Sequence, residues 1–278
     1  MARTPLRYPG GKSRAVKKIL PYIPENCKEL CAPFFGGGSV ELAVADRGAT
    51  VYGYDVFEPV VWFWKALLDT PEELASLADS YRKYHSDFIL EETKTLPKRK
   101  VKGLLKEDFV KFRNYLRKEK NFSLENAAKF YAINKSSFSG ATFSGGYSKR
   151  AAYARFTDGS IKKIKNYEVN NLTVEHASFE QSILKHPNAF LYCDPPYLLE
   201  KGKNNLYGDK GSTHQGFNHD LLHEILSNRD KWVLSYNDSP KVRKMYSKHE
   251  IIKLSWSYGM NDKNKRDKDS SSEILIIA

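Results

Sequence analysis

Ala189-Phe190-Leu191-Tyr192-Cys193-Asp194-Pro195-Pro196-Tyr197 is the stretch from which the rest of the chain can be read. Its first five residues are apolar and rich in aromatic side chains, the pattern of a short buried strand. The strand ends where the prolines begin, because each proline fixes φ and removes a backbone N–H. Asp194 therefore stands at the carboxyl end of a strand, the edge of an open α/β sheet where ligands bind. Pro195 and Pro196 stiffen the turn, and the carbonyls of Asp194 and Pro195 remain free to accept hydrogen bonds. The result is a rigid patch of acceptors beside the flat ring of Tyr197.

Such a patch meets the demands of methyl transfer to an exocyclic amine of a nucleobase. The lone pair of that amine is delocalised into the ring, so the nitrogen is a weak nucleophile. The Asp194 carboxylate and the Pro195 carbonyl would accept its two N–H bonds and draw it towards tetrahedral geometry. Tyr197 would stack on the base and hold the nitrogen in line with a methyl donor. Asp194 then stabilises the charge that develops on the amine and need not be a strong base. The plain alternative is a Pro-Pro turn closing a strand, with a surface aspartate and a packed tyrosine.

Two further stretches belong to the same sheet edge. Glu29-Leu30-Cys31-Ala32-Pro33-Phe34-Phe35-Gly36-Gly37-Gly38-Ser39-Val40-Glu41 reads as strand, glycine turn and helix, the first βα turn of a Rossmann-like sheet. It departs from G-x-G-x-x-G, so a dinucleotide fits poorly. Thr50-Val51-Tyr52-Gly53-Tyr54-Asp55 reads as a second strand ending in an acid. Asp55 lies about 20 residues beyond the glycine turn, the spacing at which an acid accepts from both hydroxyls of a cofactor ribose. A helix N-cap is the plainer role for such a residue. The opening Leu6-Arg7-Tyr8-Pro9-Gly10-Gly11-Lys12 is a Gly-rich loop whose Lys12 can meet a carboxylate or phosphate. A helix is expected to follow from Arg14 to Tyr22.

Composition narrows the partners. The 278 residues are 41% hydrophobic, enough for one large core or a core plus a smaller domain. The net charge of +12 favours a polyanion, most simply nucleic acid. Three cysteines without a pairing pattern argue against a disulfide framework or a zinc site, and no metal is expected. Met1-Ala2-Arg3-Thr4-Pro5 has no apolar leader and no later run is long enough to span a bilayer, so a cytoplasmic protein without membrane contact is expected. A monomer or weak dimer is expected.

From Pro71 to about Asn121 the pattern changes to charged amphipathic helices without strands, as in an inserted helical domain. Lys98, Arg99 and Lys100 form one basic run, and Arg113 lies in another. Leu124 to Lys135 is a further helix. Phe138 follows it, and Thr142 to Arg155 combines small polar, aromatic and basic residues, including Lys149, Arg150 and Arg155. That mixture suits a loop or hairpin lying on nucleic acid with an aromatic wedge available. A solvated charged face or a surface loop is the bland reading of each segment. Strands are expected at Leu172–Glu175, Lys231–Tyr236, Ile251–Leu254 and Ser272–Ile277. Loops are expected at 198–215 and 259–269.

Pro33-Phe34-Phe35-Gly36-Gly37-Gly38, strand-terminal Asp55, Asp194-Pro195-Pro196-Tyr197 and Tyr8-Pro9-Gly10-Gly11-Lys12 occur in a fixed order. Together they resemble the Dam-like adenine-N6 DNA methyltransferases, the D12 class. The resemblance runs over almost the whole chain, including Asn134–Gly140, Ser235-Tyr236-Asn237-Asp238 and the Ser272-Glu273-Ile274-Leu275 end. The order of glycine turn, insert and Asp-Pro-Pro-Tyr is that of the α-group of amino methyltransferases. Lys135 departs from the pattern, standing where many relatives carry Arg.

The resemblance implies an α/β fold, with a Rossmann-like S-adenosyl-L-methionine-dependent catalytic domain over 1–68 and 157–278. It also implies an inserted, mainly helical target-recognition domain over 69–156. Tyr8, Lys12, Phe34, Gly36, Gly38, Asp55 and Asp194 would hold the cofactor. Lys98, Arg99, Lys100, Arg113, Lys135, Phe138, Lys149, Arg150 and Arg155 would meet double-stranded DNA, and the target adenine would be flipped out. An RNA adenine methyltransferase would use the same four-residue site, as would a cytosine-N4 enzyme, although the latter more often carries Ser at the first position. A silent nucleic-acid-binding protein on the same fold is the alternative from another class.

Overall fold

The computed structural model describes residues 3–89, 100–198, 216–255 and 272–278. All but the first residue of the loop expected at 198–215, the loop expected at 259–269, and the basic residues Lys98 and Arg99 lie outside that set. Among the described residues, seven strands form one sheet and two more a separate ribbon. In chain order the sheet strands are β1 (Glu29–Ala32), β2 (Thr50–Asp55), β5 (Leu172–His176), β6 (Phe190–Cys193), β7 (Trp232–Asn237), β8 (Glu250–Ser255) and β9 (Ser272–Ile277). Their spatial order is β5-β2-β1-β6-β7-β9-β8. The first five are parallel, and β9 runs antiparallel between β7 and β8. The inner strands β1, β6 and β7 are largely buried because both faces are covered, whereas edge strand β5 alternates buried and exposed residues.

Strand order reverses between β1 and β6, which makes that boundary the switch point of the sheet, where a crevice opens. Leu30 pairs with both Val51 and Phe190. Continued past the strand ends, these registers bring Phe34, Asp55 and Asp194 to one level on three neighbouring strands. Helix α2 (Ser39–Ala45) follows β1, and α3 (Glu58–Asp69) follows β2. Gly53 in β2 is held to glycine by space, because a Cβ there would lie 2.3 Å from the Phe35 ring.

The segment between β2 and β5 carries helices α4 (Pro71–Ser80), α5 (Lys106–Leu116), α6 (Leu124–Ser136), α7 (Lys149–Ala154) and α8 (Asp158–Lys165). α6 packs against α3, with the Phe63 and Tyr131 rings parallel at 5.3 Å. Phe57 meets Phe130 and Phe143 edge-on. One apolar cluster therefore runs without a break from Leu30 and Val51 to Phe109, Phe130 and Ile133.

Two expectations are corrected. The insert contains an antiparallel ribbon, β3 (Lys83–Ile89) and β4 (Lys100–Gly103), where only helices were expected. Tyr84 on this ribbon is 62% exposed, with the Lys102 ammonium over its ring. Lys83–Ile89 is mostly polar in sequence, so it carries little of the apolar signal that identifies core strands. The first helix is also shorter than expected. α1 covers only Val16–Ile19 and tightens into a 3₁₀ turn at Leu20–Tyr22, where Pro21 brings no N–H.

Gly53→Val should destabilise the fold by about 1–3 kcal/mol through overpacking against Phe35. Urea unfolding followed by near-ultraviolet circular dichroism measures this, and an unchanged midpoint would contradict the close approach.

Candidate active site

The glycine turn between β1 and α2 forms one wall of a crevice at the switch point. Gly36 and Gly38 have φ of +46° and +65°, a left-handed backbone that side chains disfavour. A Cβ on Gly36 would lie 2.7 Å from the Tyr8 ring, so Tyr8 rests directly on the turn. Asp55 locks the turn from the neighbouring strand. One carboxylate oxygen accepts the Gly36 N–H and the other the Phe57 N–H, each at 2.8 Å. Burial lifts the Asp55 carboxyl to about 6, although both N–H groups favour the charged form. Phe57, not Asp55, is the N-cap of α3. The aspartate therefore ties two loops together without capping the helix.

Opposite this wall, the Lys12 ammonium donates to both oxygens of Asp194 at 2.7 Å and to the Gly10 carbonyl at 2.9 Å. Burial raises the Asp194 pKa and the Lys12 charge opposes it. Tyr8, Gly10, Lys12, Phe34, Gly36, Gly38, Asp55, Asp194, Pro195 and Pro196 all line a single cleft of about 740 Å³. Phe34 is backed by the rings of Phe179 and Phe217. The lining stops at Pro196. Tyr197 stands just beyond, stacked on Tyr236 at 6.0 Å between centroids, with the Lys12 ammonium 5.1 Å from its ring.

A second depression of about 930 Å³ is lined by Phe138, Ser139, Ser148, Arg150, Ala151, Ala154 and Arg155. Phe138 is 68% exposed at the base of a loop closed by the Ser137–Tyr147 bridge. The expected loop or hairpin thus covers only the first part of Thr142–Arg155. Ser148 then caps α7, placing Lys149 and Arg150 in its first turn and Arg155 just after it. Lys135 is less accessible than its sequence position indicated. Its ammonium bonds the Pro5 carbonyl. Burial first, then Lys163, Arg155 and Arg7, depress its pKa to about 8. Arg113 is committed to the fold, donating to the Gly145 carbonyl at 3.0 Å. Lys100 opens β4 opposite Ile89.

The two sites are joined by the N-terminal arm. Asn134 on α6 accepts the Arg7 N–H at 3.1 Å and donates to the Arg7 carbonyl at 2.8 Å and the Gly140 carbonyl at 3.2 Å. Gly140, at φ +77°, lets the arm pass, since a Cβ there would lie 2.0 Å from the Arg7 carbonyl oxygen. The residues that follow, Tyr8 to Lys12, line the cleft.

The sequence model of the D12 class N6 adenine-specific DNA methyltransferases matches residues 8–260, nearly the whole chain. The chain belongs to that family. It is similar to the type II methyltransferase M1.LlaDCHI of Lactococcus lactis subsp. cremoris, 22% identical over 89% of this chain and 86% of that protein. It is also similar to the type II methyltransferase M.CviBI of Paramecium bursaria Chlorella virus NC1A, 22% identical over 69% of this chain and 68% of that protein. The protein is a DNA adenine-N6 methyltransferase. Among its described residues, no helix is long and apolar enough to cross a membrane, and no cluster of His, Cys, Asp and Glu is placed to hold a metal.

Two carboxyls of the methyltransferase site escaped the sequence reading. Glu41 on α2 lines the cleft at 3% exposure, and Glu273 on β9 is 1% exposed with an oxygen 3.9 Å from the Lys12 ammonium. Each is a lone acid in an apolar run, Ser39–Ala45 and Glu273–Ile277, and that was the available signal. Burial lifts Glu41 to about 8 and Glu273 to about 7, with Asp194 adding to both and Lys12 opposing both.

The folded methyltransferase therefore holds protons that the unfolded chain releases, from the ordinary carboxyl range near 4.5 up to these raised values. Stability must fall as pH rises through that window, by up to about 1.4 kcal/mol per pH unit for each titrating group. Urea midpoints should accordingly be lower at pH 8 than at pH 6. In Glu41→Gln the loss should shrink, because the amide never ionises. An equal loss in both proteins would show that Glu41 is not the buried acid.

Proposed function

We propose that the methyltransferase binds S-adenosyl-L-methionine in the 740 Å³ cleft and methylates N6 of an adenine turned out of duplex DNA. The observation that carries this reading is that Phe34, Asp55 and Asp194, at or just past the carboxyl ends of three adjacent parallel strands, line one cleft. The lining fits the cofactor. The turn at Gly36–Gly38 brings backbone close, Tyr8 and Phe34 offer rings, and each Asp55 oxygen keeps a lone pair for a ribose hydroxyl. When bound, S-adenosyl-L-methionine supplies a methyl group electrophilic enough to react with an amine.

The protein's task is to improve that amine. The Asp194 carboxylate and the Pro195 carbonyl accept its two N–H bonds, which localises the lone pair on nitrogen. Partial burial of Asp194, whose side chain is 21% exposed, strengthens this interaction relative to bulk water. Pro196 fixes the turn and Tyr197 supplies the stacking face. Adenine N6 in a duplex keeps one N–H in the base pair, so both acceptors can be used only after the base leaves the helix.

Residues 69–156 are assigned to target recognition. Phe138 is the wedge that fills the vacated stack, since a large exposed ring on a left-handed turn at Ser139 has no packing role. Lys149, Arg150 and Arg155 contact phosphates beside it, joined by Arg7 and Lys163, whose charges crowd Lys135. Lys135 and Arg113 shape this surface from beneath. Lys98, Arg99 and Lys100 are assigned to the same partner from their charge.

Asp194→Ala should abolish methylation while leaving DNA affinity within a few-fold, because phosphate contacts supply most of the binding. Asp194→Asn should be severely impaired as well, since it presents a donor where an acceptor is needed. Near wild-type turnover in Asp194→Ala would overturn the mechanism. Duplexes carrying 2-aminopurine at a mapped target adenine should brighten on binding as the base unstacks. Tyr197→Ala should brighten more and turn over more slowly. No change in saturated complexes of either protein would exclude flipping.

A further inference from the structure

The Lys12 ammonium occupies both places that the proposed mechanism reserves for the base. It donates to both Asp194 oxygens at 2.7 Å and stands 5.1 Å from the centroid of Tyr197, whose ring is stacked on Tyr236. An Asp194 carboxylate so engaged is a poorer acceptor for an amine, so Lys12 must give it up when adenine enters. A lysine 4% exposed cannot be left without a counter-charge.

Glu273 supplies the alternative. Its carboxylate faces Lys12 from β9, with one oxygen 3.9 Å from the ammonium. At 1% exposure, neither of its oxygens completes a hydrogen bond with the described residues, although the Tyr197 hydroxyl lies close enough to lower its pKa. A shift of about 1 Å would bring the ammonium to charge-assisted bonding distance, about 2.8 Å. Glu41, the other buried carboxyl near Lys12, stands on the cleft side, on α2.

We infer that Glu273 is a positioning residue that receives the Lys12 ammonium when the target base displaces it from Asp194. Lys12 with Asp194 is then the resting arrangement and Lys12 with Glu273 the working one. The fixed carboxylate on β9 lets the ammonium move without losing its partner. This inference rests on the reading of Asp194 as acceptor for the adenine amine.

The test is a double-mutant cycle in single-turnover methylation of a mapped duplex, comparing wild type, Glu273→Gln, Lys12→Met and the double variant. The amide keeps the size of the side chain and removes the charge. Glu273→Gln alone should slow methyl transfer by about 10²-fold, the cost of a misplacement of about 1 Å. In the Lys12→Met background the same change should cost little, because no ammonium remains to be moved. An equal cost in both backgrounds, or no cost in either, would overturn the inference. A second readout does not depend on activity or on the variants folding. In a crystal of the wild-type protein with the duplex and demethylated cofactor, Lys12 should bond Glu273 and not Asp194. Lys12 still on Asp194 beside an inserted base would overturn it. Failure of the underlying reading is separable, because Asp194→Asn would then remain active.

Discussion

The structure depends on the pairing of β1 with β2 on one side and β6 on the other. Three short parallel strands in close register end at the same height, and whatever follows each strand is delivered to one edge. The glycine turn, Asp55 and Asp194 are separated by long stretches of chain and meet only because of this register. A shift of one residue in either pairing would turn these side chains to the other face of the sheet.

That convergence creates an electrostatic problem. Asp194, Glu41 and Glu273 lie around a single buried ammonium, that of Lys12. One lysine cannot neutralise three carboxylates, so burial and mutual repulsion raise the pKa of both Glu41 and Glu273. The N-terminal loop that brings Lys12 is therefore part of the cleft wall. Without it, Asp194 would stand partly buried with no cation beside it, an unfavourable state.

The same loop is fastened to the DNA-facing insert. Asn134 bonds both main-chain groups of Arg7, and Lys135 bonds the Pro5 carbonyl. Phe138, four residues beyond Asn134, stands exposed on the next turn. The continuous apolar packing of α3 on α6 joins the insert to the sheet.

Periodicity and short motifs were enough to place the strand–turn–helix of residues 29–45, β2 ending at Asp55 and the strand before Asp194. These signals are local: an apolar run, a glycine whose φ must be positive, a proline that stops a strand. The basic insert was legible as charge, but its ribbon was not, because Lys83–Ile89 is mostly polar and carries little of the apolar signal that marks a strand. Nor was the engagement of Arg113 and Lys135 with backbone carbonyls, since a basic residue looks the same in sequence whether it faces solvent or ties down a loop. Glu41 and Glu273 show the limit most clearly. Each was visible as one acid in an apolar run, but only the tertiary structure decided that both would crowd around Lys12. Their meeting depends on β9 inserting beside β7 and on the N-terminal loop folding back over the sheet edge, which brings Lys12 to Glu273, more than two hundred positions away in the chain.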